Sequence, residues 1–360
     1  MKHIASLILL ATLLLANKSY AQQTQTLTAD KHNEYGLVYK LPITTIRFDV
    51  TARQTVSHVG PFYQYAKKYI GTDNVIKEND ENWQIVNVKA TIYGEADESQ
   101  EYLMQFKPGA LTSICIDENG MLLAINKDVD APARETRPQD TSFSSEIGVK
   151  DFMQYVNEDF LASKSSAKQA QFLAESLMEV RDAKVSLTRG TAESMPTDGK
   201  QLDLMLNSLS HQEAAITAAF TGATESRTVT RTYTFTPEKD GKQVLFRMSD
   251  FAGFVDADDY SGEPVYINVK VTRQESLPTD EKGETKKFPK DAVIYNLPGA
   301  AKVTLSLGSQ TLWTQSVECS QFGVQFGLQP SLFSDKKVRS YATFDPSTGA
   351  LTKIAEVDDK

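Results

Sequence analysis

The chain has 360 residues, with 38 Lys and Arg against 47 Asp and Glu and a formal net charge of −9. That length suits about two domains, each with its own core, and the acidic balance excludes a chain built to grip a phosphate backbone, so no nucleic-acid partner is expected. Two cysteines exclude a disulfide scaffold and a four-Cys zinc site, while 40% hydrophobic and 24% charged residues exclude disorder throughout.

The chain opens on basic Met1-Lys2-His3, a charge-free apolar stretch over residues 4–15, and Ser19-Tyr20-Ala21. A positive start, a short apolar run and small residues before the cut read as a signal peptide over 1–21, cleaved after Ala21. The stretch is too short to span a bilayer, no later segment is long and apolar enough, and no cysteine follows it. The expected location is therefore periplasmic or secreted, with no transmembrane segment or lipid anchor after cleavage. Export permits Cys115 and Cys319 to pair. The other reading is two separate buried thiols, and sequence carries no Cα separation that decides between them.

Residues 22–34 are polar with one leucine and read as a flexible leader. A β-rich domain follows over 35–130. In it Ile46, Phe48 and Val50 alternate with Arg47 and Asp49, the pattern of a half-buried strand. Gly60-Pro61 opens a short helix with Phe62, Tyr65, Ala66, Tyr69 and Ile70 on one face, and Gly71 supplies its stop. Strands are expected over 83–93 and 101–106, then a hairpin over 112–116 and 121–125 turned by Asp117-Glu118-Asn119-Gly120.

Residues 131–225 read as a linker and a helix pair. The Pro-containing, mixed-charge stretch 127–146 is loop. Residues 165–187 and 201–220 are rich in helix formers and carry narrow apolar stripes, Phe172, Leu173, Leu177 and Val180 on the first, Leu202, Met205, Leu206, Leu209, Ile216 and Phe220 on the second. A second β-rich domain occupies 226–360, with strands over 227–236, 244–248, 264–272, 292–296, 303–307, 311–317, 322–326, 338–344 and 351–355, and an exposed loop over 276–290. The turn Asp345-Pro346-Ser347-Thr348-Gly349 echoes those at 116–120 and 237–241, but shared turn chemistry is a weak sign of a repeat. The fold class is α+β, mainly antiparallel β, with two β-rich parts flanking an antiparallel helix pair.

Few residues point to chemistry. After the signal peptide the histidines are His32, His58 and His211, none at metal-ligand spacing from another, and there is no Gly-x-Ser-x-Gly elbow, P-loop or Gly-x-Gly-x-x-Gly. Ser165-Ser166-Ala167-Lys168 matches Ser-x-x-Lys, yet its companion motifs are missing and Ser165 reads as a helix cap. The run 256–263 offers Asp256, Asp258, Asp259 and Glu263, the oxygen donors Ca²⁺ takes; it departs from the EF-hand spacing, and a solvated acidic loop is the plainer reading. No other cofactor is expected. Trp83 and Trp313 sit at strand positions, where core packing outweighs sugar stacking.

The runs YGLVYKLPITTIRFDVTARQ, GPFYQYAKKYIG and WQIVNVKATIYGEADESQEY, and later VLFRMSDFAGFVDADDYSGEPVYI, YNLPGAAKVTL, QFGVQFGLQPSLF and FDPSTGALTKI, resemble an uncharacterised secreted family of Bacteroides-like Gram-negative bacteria, domain of unknown function 4831. The resemblance covers nearly the whole chain after the signal peptide and implies export and a shared fold, with no activity or ligand to carry over. Three classes of function stay open: a non-enzymatic envelope module binding a glycan, peptide or partner protein; a carboxylate-based hydrolase acting on an envelope or extracellular polymer; and a structural assembly subunit. The absence of reactive motifs favours the first.

Overall fold

Alternation along the first long strand organises the protein. β2 (Leu37–His58) buries Ile46, Phe48, Val50 and Ala52 on one face and pairs antiparallel with β3 (Asp80–Gln105) on one side and β6 (Ala223–Phe235) on the other. β1 (Gln23–Thr26) adds to the far end of β3. In this computed structural model the described residues are 23–26, 36–105, 113–133, 136, 138–144, 147–289, 291–334 and 340–356. The signal peptide read over 1–21, most of the leader and His32 lie outside them.

A second antiparallel sheet runs in the order β11 (Gln310–Leu328), β10 (Val293–Leu307), β9 (Glu263–Arg273), β7 (Gly241–Ser249) and β8 (Gly253–Val255). Its Phe246, Val265, Ile267, Val303, Leu305 and Cys319 pack against the buried face of β2, where Trp313 meets Phe48 edge-on at 5.2 Å. A small third sheet orders β13 (Leu351–Glu356), β12 (Ser340–Phe344), β5 (Leu122–Ile125) and β4 (Ile114–Ile116) over a second core containing Tyr39, Tyr102, Tyr295, Phe333 and Phe344.

Between the two β-rich regions lies a helical cluster. α1 (Ala66–Ile70) follows a 3-10 turn and ends at Gly71, whose φ of 73° a residue with a Cβ rarely adopts. α2 (Glu158–Ala162) precedes the antiparallel pair α3 (Ser166–Arg189) and α4 (Gly199–Thr221). Ser165 caps α3 by accepting from the Lys168 N–H at 3.4 Å, and Asp198 caps α4 by accepting from the Gln201 N–H at 2.7 Å. Phe62, Phe152, Phe160, Leu173, Leu177 and Phe220 form a third core, and Glu213 of α4 clamps Arg181 and Lys184 of α3 at 2.8 and 2.7 Å. A single turn, α5 (Ser331–Ser334), leads towards β12. The architecture is thus mixed α+β, mostly antiparallel, as the periodicity predicts.

Three expectations need correction. Gln23–Thr26, read as leader, is a strand, because edge pairing runs through the main chain and asks little of side-chain polarity. Several expected strands fuse: 83–93 and the described part of 101–106 are one β3, 292–296 and 303–307 one β10, and 311–317 and 322–326 one β11. Glycine and proline at the joins make bulges there rather than ends. The stretches assigned to separate N- and C-terminal β-rich parts share sheets, since β2 pairs with β6 and β5 with β12. Of the two readings left open for the cysteines, the structure takes the separate thiols: Cys115 on β4 is half-buried, Cys319 on β11 is buried, and both are free.

The turn echo turns out to mark a structural repeat. Tyr39-Lys40-Leu41-Pro42 on β2 and Tyr295-Asn296-Leu297-Pro298 on β10 occupy equivalent places. Between Lys40↔Glu101 and Pro42↔Ala96, two steps along β2 oppose five along β3; between Leu297↔Val324 and Gly299↔Cys319, two along β10 oppose five along β11. Each strand then hooks a third-sheet turn in the same way: the Lys40 N–H donates to Gly120 O at 2.9 Å, and the Asn296 N–H to Gly349 O at 3.1 Å. The units β2–β5 and β10–β13 are therefore copies of one plan. Its bulge carries out a physical task, since side chains alternate along a strand and an irregularity flips the face. Tyr39 and Leu41 thus enter the second core, and Ile46, Phe48 and Val50 the first. At the second bulge Gly299 lies against Phe322 O and Arg273 O, closer than any Cβ permits.

Candidate functional site

A hollow of about 1210 Å³ opens where the two repeat turns meet the outer face of the first sheet. Its floor is Arg47 of β2 and Thr91–Ala96 of β3; its walls are Asp117–Asn119 on one side, Asp345–Ser347 on another and Ala131–Ala133 above. Both turns are held rigidly by a leading aspartate. Asp117 Oδ1 accepts from the N–H groups of Asn119 and Met121 at 2.9 and 2.8 Å. Asp345 Oδ1 accepts from the N–H groups of Ser347 and Thr348 at 2.8 and 3.0 Å. Gly94 brings β3 against Pro346 O and the Pro42 ring, so the second turn seats directly on the floor.

Carboxylates outnumber cations in the lining: Glu95, Glu98, Asp117, Glu118 and Asp345 face one guanidinium, Arg47. Arg47 is itself engaged, its Nη2 lying 3.1 Å from Asp49 Oδ2, and Asp49, 1% exposed, also accepts from Thr232 Oγ1 at 2.6 Å. The Tyr93 hydroxyl donates to Glu95 Oε1 at 2.8 Å. Burial first, then that bond and the Glu95 charge, push the Tyr93 phenol up to about 12, so it stays a neutral donor at any physiological pH. Lys40 Nζ sits 2.7 Å from Glu98 and 3.8 Å from Glu101.

The residues singled out in the sequence lie elsewhere and do not converge. Asp256, Asp258 and Asp259 occupy the loop between β8 and β9, and Glu263 is the first residue of β9. Among the described residues no group of three or more His, Cys, Asp or Glu side chains is placed to hold a metal ion. The loop satisfies itself: Arg247 donates to Ala257 O at 2.9 Å and Gly262 O at 3.1 Å, filling the carbonyls a cation would need. Asp259 accepts from the Ser261 N–H at 2.9 Å, which holds its carboxyl below the usual range, and the Glu263 carboxylate lies against Gly308 in the β10–β11 turn. The Ser165 hydroxyl is a cap, while Lys168 Nζ lies over the Phe172 ring at 4.6 Å. His58 Nε2 is 3.1 Å from Glu225, and His211 Nδ1 is 3.0 Å from the Tyr155 hydroxyl; neither histidine lines the hollow.

Sequence reasoning missed the hollow. Its one legible signal was the pair of Asp-to-Gly turns together with the Tyr-x-Leu-Pro pair; that they meet over β3 is a matter of topology.

The model of one protein family, described as Domain of unknown function (DUF4831), matches residues 35–352. No curated protein and no solved structure matches the chain.

Proposed function

This chain belongs to the DUF4831 family, and from that premise we propose that it is an exported, non-enzymatic binding module of the Gram-negative envelope that holds a basic peptide segment in the hollow between its repeat turns. The observation that carries the reading is the acidic lining, five carboxylates against the Arg47 guanidinium with Lys40 paired to one of the five, around a volume of about 1210 Å³. A pocket for a drug-sized molecule spans roughly 300–1,000 Å³, so this hollow accepts an extended oligomer. Lysine or arginine side chains match its charge, and the fixed turns lower the ordering cost of binding. A single aromatic ring, Tyr93, lines it, which disfavours a glycan held by stacked platforms.

Among the described residues no helix is long and apolar enough to cross a membrane.

Fluorescence anisotropy with lysine- and arginine-bearing hexapeptides, acidic hexapeptides and neutral oligosaccharides tests the reading. Only the basic peptides should bind, more weakly as salt rises, and Glu95→Gln with Glu118→Gln should reduce affinity about tenfold. Equal binding of acidic peptides, or no effect of the paired substitution, would refute it.

A further inference from the structure

Every residue of β3 over 91–96 lines the hollow. Successive strand residues face opposite sides of a sheet, so a space that touches each of them runs along the edge of β3 and reaches both its faces. β2 holds one edge of this stretch, in unbroken register from Pro42↔Ala96 to Thr51↔Asn87. On the other edge, among the described residues, no strand and no main-chain hydrogen bond meets 92–96.

Two further features suit this edge to an added strand. β1 already joins it further along, pairing Thr26 with Tyr102 and Gln23 with Gln105. On the inner face Val88, Ala90 and Ile92 are only half-buried, while their partners Val50, Phe48 and Ile46 are fully buried. The first core is therefore open along this side, and one more strand would cover it. The outer face carries Tyr93 and the exposed Glu95. A charge on an edge deters pairing between copies of one chain, and Glu95 does so in a protein of net charge −9. A strand bearing cations meets the opposite sign there.

We propose that the hollow takes its peptide as an added strand on β3 along 92–96, with basic side chains on the Glu95 side and apolar ones on the Ile92 side. The inference rests on the reading of the hollow as a basic-peptide site and names the kind of peptide: extended, with basic and apolar residues in alternation. The open main-chain edge supplies affinity, and the two faces supply specificity, because side chains of an added strand alternate in step with those of β3. The basic set meets Glu95, and the apolar set covers Ile92. A peptide with its lysines in one block would turn some of them toward the core side, where they lose water without gaining a partner.

Fluorescence anisotropy on the purified protein tests it, with labelled Lys-Val-Lys-Val-Lys-Val and Lys-Lys-Lys-Val-Val-Val peptides, both blocked at their ends and equal in composition and charge. The alternating peptide should bind about tenfold more tightly. In a strand the N–H groups of alternate residues point to the same edge. N-methylation of one set, all the lysines or all the valines, should therefore weaken binding about tenfold, and methylation of the other set should leave it nearly unchanged. The alternating peptide should also slow amide exchange within 92–96 and leave exchange in β9 as it was. Equal binding of the two sequences, or no effect of N-methylation in either set, would overturn the added strand and leave the basic-peptide site standing. Binding of neither sequence would remove both.

Discussion

Tyr39→Phe removes one oxygen from the place where the two repeats are tied together. The Tyr39 side chain is fully buried; its hydroxyl accepts from the Ile294 N–H at 2.9 Å and donates to Ile294 O at 3.1 Å. These two groups lie at the start of β10, beyond the reach of β9, which pairs only from Ala300 onward. Phenylalanine keeps the ring and its packing, so the perturbation is confined to hydrogen bonding. Leaving a buried donor or acceptor unsatisfied costs about 1–3 kcal/mol, and because Ile294 is half-buried the lower end applies to each group, giving a loss of about 2–3 kcal/mol for the pair. Urea unfolding followed by tryptophan fluorescence measures this as a lower midpoint at unchanged slope. Tyr295 is the internal control. It holds the equivalent position in the second repeat, yet no hydrogen bond ties its hydroxyl among the described residues, and burial alone pushes its phenol up. Tyr295→Phe should cost under about 1 kcal/mol. Equal losses for the two tyrosines, or a loss under about 0.5 kcal/mol for Tyr39→Phe, would refute the claim that this hydroxyl joins the repeats.

Gly299→Ala drives a methyl into Phe322 O and Arg273 O and should destabilise by about 1–3 kcal/mol in the same unfolding assay, whereas Gly199→Ala, where a Cβ meets open space, should not destabilise. Glu213→Gln should cost about 0.5–1 kcal/mol at neutral pH, discounted for partial exposure of the clamp to solvent. Its folded pKa lies below the unfolded one, so the stabilisation is present above the unfolded pKa and lost as pH falls through the folded one; the difference in melting temperature between variant and wild type should vanish at acid pH. With a thiol reagent under native conditions Cys115 should react and Cys319 resist, because burial, then the Glu318 charge, pushes the Cys319 thiol up to about 12; equal rates would refute this.

Local chemistry was readable wherever a few neighbouring residues decide the outcome. Ser165 capping α3, Gly71 ending α1, the Asp117 turn and the alternation of Ile46, Phe48 and Val50 all appear where the sequence places them. For the acidic run 256–263 the sequence lists the carboxylates without showing Arg247, on a neighbouring strand, which donates to the Ala257 and Gly262 carbonyls.

What the sequence determined by itself is the set of elements and which side of each is apolar, since propensity, capping and a period of two or 3.6 act over a few residues. Tertiary structure alone decided the rest. A bulge at Pro42 or Gly299 is punctuation in the sequence, but across a paired strand it becomes a change of face that lets β2 and β10 each line two cores. Which turns meet over Gly94 depends on pairings between residues far apart in the chain, and nothing local encodes those distances.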